Sequence, residues 1–220
     1  MNIKKYILFF SGLFLLTFSN FCLSSTKYIQ DVHYELIKKS PKIIFYPKTP
    51  IIEFFSFLCP HCYDFYNMTH KKNLSVQNFL KHLQITKYHI DSMGDKKLAK
   101  LATYNWSIAI ALHVENKVIL AIFQGIQSHK IYNYKTMKKI FIKAANINNN
   151  IYDAAWNSSL VKALNKKQIK LATAWNITSI PFIVINNKYH IKLDSLDFTS
   201  TNLFLSDYIS LIKVLLKKKN

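Results

Sequence analysis

The chain has 220 residues, half of them hydrophobic, and carries 30 basic side chains, all lysine, against 11 acids, for a formal charge of +19. That length holds one sizeable core, or a core with an inserted subdomain. The lysines are scattered and there is no arginine for bidentate contacts, which argues against a nucleic-acid surface; with abundant Ile and Asn and only three Gly, the charge reads as the drift of an AT-rich genome.

Lys4 and Lys5 precede an uncharged apolar run over 6–18, then Ser19-Asn20-Phe21-Cys22-Leu23-Ser24-Ser25. Charged, apolar and small-residue regions in that order predict a secretory signal peptide over 1–24, cleaved after Ser24 or Ser25. The competing reading is an uncleaved membrane anchor, but the run falls short of the ~20 apolar residues of a span. Phe21 is too bulky to precede a lipidated Cys22. Export places the mature chain, about 195 residues, in an oxidising compartment.

The apolar run 51–57 predicts a buried strand, and Cys59-Pro60-His61-Cys62 follows it at once. Two sulfurs three residues apart on a helix face the same side and bond with little backbone movement. With Pro60 opening the helix, Cys59 sits at the N-terminal end, where free N–H groups favour a thiolate. The thiolate is the form that attacks disulfides and leaves them. Removal of the leader takes Cys22 with it, so a single pair remains, and it closes almost no loop that could stabilise a fold. A zinc site needs four ligands, and no second C-x-x-C exists. The expectation is therefore a reactive disulfide, with no metal and no bound cofactor: Cys59 the nucleophile and more exposed thiol, Cys62 the resolving thiol. His61 is expected to give polar or cationic stabilisation to the Cys59 thiolate, and Pro60 to fix the turn.

Glu53 is an acid in an otherwise apolar strand. Alternation places it on the face of Phe55 and Phe57, beneath the sulfurs, where burial would suit it to shuttle the Cys62 proton. The other reading is a carboxylate that reaches solvent or pairs with Lys87. Phe57, Leu58, Tyr63, Phe65 and Phe182 are candidates for an apolar collar that meets unfolded substrates; the competing reading is core packing.

Farther along, 84–90 alternates and predicts a second strand, and the pattern is helical from 94 to 175, over 97–114, 117–127, 135–145 and 152–175. A strand begun by proline covers 179–185, Asn186-Asn187 makes a turn, and 188–193 pairs back as a hairpin. An amphipathic helix over 202–218 closes the chain. Strand and helix, a helical block, then hairpin and helix make an α/β thioredoxin fold with an inserted helical domain. The parts are 25–91 and 176–220 for the thioredoxin fold and 92–175 for the insertion. Trp106, Trp156 and Trp175 read as packing residues of that block.

The stretch Phe54-Phe55-Ser56-Phe57-Leu58-Cys59-Pro60-His61-Cys62-Tyr63 resembles the active-site segment of the DsbA family of thiol:disulfide oxidoreductases. Thr86-Lys87-Tyr88-His89, Tyr152-Asp153-Ala154-Ala155-Trp156-Asn157-Ser158 and Asn187-Lys188-Tyr189 are similar to segments of the same family. The resemblance implies a monomeric periplasmic enzyme that oxidises exported proteins with free thiols and is reoxidised by a DsbB-like membrane quinone reductase. It implies a cis peptide at Pro181, facing the sulfurs, with the Ile180 backbone free to pair with an extended substrate. The family carries an acid shortly after the second cysteine; the matching position here is Tyr66. Two other readings compete: an isomerase or reductase of the same fold, although no N-terminal dimerisation domain is evident, and a membrane-tethered binding protein with an inert cysteine pair.

Overall fold

The computed structural model describes residues 27–37, 49–71, 78–80 and 82–218; the predicted signal peptide lies outside them. Among these, β1 is Tyr34–Leu36, β2 Ile51–Phe55, α1 Pro60–Lys71 and β3 Ile85–His89. Five helices follow: α2 Lys96–Leu112, α3 Glu115–Gln127, α4 Tyr134–Ala145, α5 Asn149–Asn157 and α6 Ser159–Ala174. β4 Phe182–Ile185, β5 Tyr189–Ile191 and α7 Thr201–Lys217 complete the order.

The sheet runs β1-β5-β4-β2-β3. β2 and β3 are parallel, with Glu53 opposite Lys87 and Phe54 opposite Tyr88; β4 lies antiparallel on the other side of β2. All five residues of β2 are buried, as expected of a central strand covered on both faces. The hairpin β4–β5 turns through Asn186 and Asn187, both left-handed at φ 52° and 54°, a conformation that asparagine tolerates.

Two differences from the sequence reading have local causes. The helix expected over 152–175 is two helices: Ser158 has an extended backbone, and its hydroxyl accepts from the Val161 N–H, so it ends α5 and caps α6 at once. Strand β1 was not anticipated. It is three residues long and pairs antiparallel with β5, and only Tyr34 is buried, so it shows little periodic signal.

The two faces of β2 serve different cores. On one, Phe55 packs with Trp106, Ile122 and Phe123 of the helical insertion in the same cluster as Cys59 and Cys62. On the other, Ile52 and Phe54 pack with Tyr88, Trp175 and Val184. A third cluster joins Phe65 of α1 to Phe204, Tyr208 and Leu211 of α7. Burying each such ring contributes about 2 kcal/mol, so α1 is fixed by α7 independently of the segment that leads into it.

Candidate active site

β2 ends at Phe55, and four residues carry the chain into α1. The Cys59 N–H donates to Ser56 O at 3.1 Å, and the Leu58 N–H donates to Ser56 Oγ at 3.2 Å, which closes this connection into a tight turn. Gly94, at φ +71°, backs onto it; a Cβ there would lie 2.7 Å from Leu58 Cδ2. Tyr63 N–H donates to Cys59 O, so Cys59 caps α1 and Pro60 occupies the first helical position, where no N–H is required.

This places the sulfurs as the spacing predicted. The Cys62 N–H points at Cys59 Sγ from 3.4 Å, and the Ile180 carbonyl lies 3.9 Å from the same sulfur. Both thiols are free. The Ile180–Pro181 peptide is cis, as the resemblance implied. Pro60 and His61 are exposed on the first turn. The expected contrast in exposure between the thiols is slight, since Cys59 is 3% exposed and Cys62 2%.

Electrostatics separates them instead. The Cys59 thiol is lowered to about 6, first because the Cys62 thiol donates a hydrogen bond to it, and then by the N–H groups of Cys62 and His61; burial opposes this, and the His61 charge adds least. The Cys62 thiol is raised, chiefly because it is the donor in that bond and is buried, with the Glu53 charge a smaller cause. One sulfur is thus a stabilised thiolate and its neighbour a retained thiol.

Glu53 is buried and ion-paired with Lys87, directly across the parallel register. The pairing expected as the alternative is therefore present, and the Glu53 charge is the least of the causes that raise the Cys62 pKa. Tyr66, at the position of the family's acid, is buried and stacks on His70 with ring centroids 4.2 Å apart. Both line a cleft of about 500 Å³ with Lys87, Trp106 and Asn116. Burial, then the Lys87 charge, holds His70 down to about 4.

The proposed collar divides. Phe57 is 0% exposed and stacks on His89 with centroids 5.1 Å apart, so it belongs to the floor of the site and cannot meet a substrate. Phe182 lies across from Phe54 and stacks on His190 at 3.6 Å, on the sheet face away from the sulfur cluster. Phe65 packs against Phe204 and Tyr208. Leu58, Tyr63 and Ile180 remain: all three are half-buried and pack against the cluster that holds both sulfurs. The sequence reading missed His89 and Gln127 as supports of the turn; the only signal for His89 was that Thr86-Lys87-Tyr88-His89 matched a family segment, and Gln127 had none. Among the described residues, no three His, Cys, Asp or Glu side chains gather to hold a metal ion, and no helix is long and apolar enough to cross a membrane.

A family profile described as a DSBA-like thioredoxin domain matches residues 50–204. The thiol:disulfide interchange protein DsbA of Escherichia coli K12 is 34% identical over 217 residues, which is 98% of this chain and 100% of the relative. The protein of the same name from Salmonella typhi is 35% identical over 170 residues, 77% of this chain and 81% of that one. Among solved structures, a cysteine-to-serine variant of Proteus mirabilis DsbA with a non-covalently bound peptide PWATCDS superposes with a TM-score of 0.73 at 31% identity, covering 87% of this chain and 99% of that one. Klebsiella pneumoniae DsbA gives 0.73 at 26% identity, covering 87% and 98%.

Proposed function

This chain belongs to the DsbA family of thiol:disulfide interchange proteins, and from that premise we propose that it works as an oxidase, donating a Cys59–Cys62 disulfide to newly exported proteins in the periplasm. The observation that carries the direction is the placement of Cys59 at the start of α1, with the Cys62 N–H aimed at its sulfur. That arrangement favours the thiolate, which stabilises the reduced protein and makes its disulfide a strong oxidant.

A substrate thiolate attacks Cys59 Sγ, the S–S bond to Cys62 breaks, and Cys62 leaves as a thiolate that takes up a proton. The raised pKa of Cys62 suits it to hold that proton. A second substrate thiolate then attacks the substrate sulfur of the mixed disulfide, and Cys59 leaves as the favoured thiolate. The substrate loses two electrons and the cysteine pair gains them. The redox group is the cysteine pair itself, without a bound cofactor. Leu58, Tyr63 and Ile180 supply the apolar rim and an edge carbonyl for an extended substrate. Glu53, paired with Lys87 and acting on Cys62, is the residue best placed to influence proton movement at that sulfur. A membrane quinone reductase of the DsbB type would return the pair to the disulfide, and the enzyme would work as a monomer.

Equilibration of the purified protein with glutathione buffers tests the direction. An oxidising midpoint, with stoichiometric oxidation of a reduced client peptide, is the expected result. A reducing midpoint of the thioredoxin kind, about −270 mV, would overturn it.

A further inference from the structure

The turn that delivers Cys59 is held from behind. Phe57 donates its N–H to His89 Nε2 at 2.9 Å, and its carbonyl accepts from Gln127 Nε2 at 2.8 Å. Because Nε2 accepts, the His89 proton sits on Nδ1 and is donated to Thr103 Oγ1 at 2.7 Å; that hydroxyl donates on to Ala99 O. Gln168 Oε1 accepts the His89 backbone N–H at 2.8 Å, while its amide nitrogen donates to Thr103 O and Ser107 Oγ. His89, Thr103, Ser107 and Gln168 are all buried. Burial holds the His89 ring neutral, with its pKa pushed down to about 3, as an accepting Nε2 requires.

The side-chain donors of His89, Thr103, Ser107 and Gln168 in this network each meet an acceptor. His89 is the last residue of β3; Gln127 and the groups that hold His89 come from α2, α3 and α6 of the insertion, and none of these bonds goes to a sulfur. They end on the backbone of Phe57, two residues before the nucleophile. We propose that Gln127 and His89 are positioning residues for Cys59, so that the helical insertion tunes its acidity through the Phe57 peptide groups; this rests on the redox reading above.

The physical route is short. α1 is anchored against α7 by Phe65, so the N–H groups that stabilise the thiolate are fixed from that side. The turn is fixed from the other side by His89 and Gln127. A Phe57 carbonyl deprived of its donor relaxes toward another partner, since a buried unpaired acceptor costs about 1–3 kcal/mol. The bonds within the Ser56–Cys59 turn carry Cys59 with it, and its sulfur shifts relative to the Cys62 N–H. That contact stands at 3.4 Å, an ordinary distance for a sulfur acceptor, and it weakens as the sulfur is turned away from the N–H.

The test is a titration of thiolate absorbance against pH in the reduced full-length protein. Gln127→Met keeps the length of the side chain and removes the donor. Gln127 is half-buried at the end of α3, so the variant should fold; urea unfolding confirms this and supplies the stability readout. The expected result is at least a threefold loss of Cys59 acidity, an upward displacement of about half a pH unit or more. Gln124→Met, an exposed site one turn earlier on the same helix, should superimpose on the wild type. A merely structural role for Gln127 would lower the urea midpoint and leave the titration curve unmoved, which overturns the proposal, as does an equal displacement in Gln124→Met. If the wild-type Cys59 itself titrates at an ordinary thiol value, the oxidase reading fails first and takes the proposal with it.

Discussion

At the rim of the site Pro60 and His61 are exposed, and they act on Cys59 through the start of a helix and an imidazole charge in contact with water. At its floor Cys62, Phe57, His89 and Glu53 are buried and tied by specific bonds. The same sulfur feels both regions, but not equally. The Cys62 thiol is the first cause of the lowered Cys59 pKa and the His61 charge the last. A charge at the surface is screened by water and salt, whereas a hydrogen bond inside is not. The dipeptide between the cysteines is the visible signature of the site, while its electrostatics is set mostly from beneath.

The largest test of that contrast removes the floor partner. Cys62→Ala should move the Cys59 pKa from about 6 most of the way toward the ordinary ~8.5. It should also leave Cys59 able to capture thiols as a long-lived mixed disulfide, with turnover abolished. Cys59→Ala should abolish capture as well. Thiolate absorbance and trapping of a thiol peptide measure both. A Cys59 still titrating near its wild-type value in Cys62→Ala would mean that the rim suffices.

Next in size is the buried ion pair. Glu53→Gln leaves the Lys87 ammonium without its carboxylate, and the side chains of both are largely buried. The expected loss is about 3 kcal/mol or more in urea unfolding, whereas the double variant with Glu53→Met and Lys87→Met, which replaces both charges by apolar side chains, should lose far less. A loss below about 1 kcal/mol would show that the cleft beside Tyr66 and His70 lets water solvate Lys87 as it would a surface pair.

Redox state and pH give a smaller, signed effect. The unfolded thiol titrates near 8.5 and the folded Cys59 near 6, so the folded reduced protein releases a proton that the unfolded chain keeps. That stabilisation is fully present above the unfolded value and is lost as pH falls through about 6. Cys62 runs the other way: its raised pKa stabilises below the unfolded value and is eroded as pH rises beyond it. The oxidised protein has no thiolate to stabilise, and its very short disulfide loop restrains the unfolded chain little. The reduced form should therefore be the more stable near neutral pH, with its advantage widest toward about pH 8 and shrinking on acidification. Urea unfolding of both forms across a pH series checks this. A more stable oxidised form at neutral pH would contradict the oxidase assignment.

Much of this architecture is legible in the sequence because its elements are local. The strand before the cysteines, Pro60 at the first helical position, the paired asparagines of the hairpin and the apolar stripe of α7 each carry their own signal. What is not legible depends on partners far along the chain. Phe57 reads as a rim aromatic until Trp106, Phe123 and His89 are seen to enclose it. Phe182 follows the cis-proline, yet strand alternation turns it to the Phe54 face. Gln127, 70 residues from the carbonyl it serves, has no pattern of its own, and a lone glutamine at a helix end gives no reason to select it.

The smallest effect belongs to the most conspicuous residue. His61 is exposed, its ring charge is the least of the causes acting on Cys59, and its backbone N–H, which contributes more, survives any side-chain change. His61→Phe should therefore raise the Cys59 pKa by less than Cys62→Ala does, and the disulfide should become a somewhat weaker oxidant with its mechanism intact. The thiolate would persist because the N-terminus of α1 and the Cys62 thiol remain in place. Salt offers an independent check, since raising ionic strength should screen an exposed imidazolium and leave the internal bond alone. A shift in His61→Phe as large as that in Cys62→Ala, or one removed entirely by salt, would transfer control of the nucleophile from the floor to the rim.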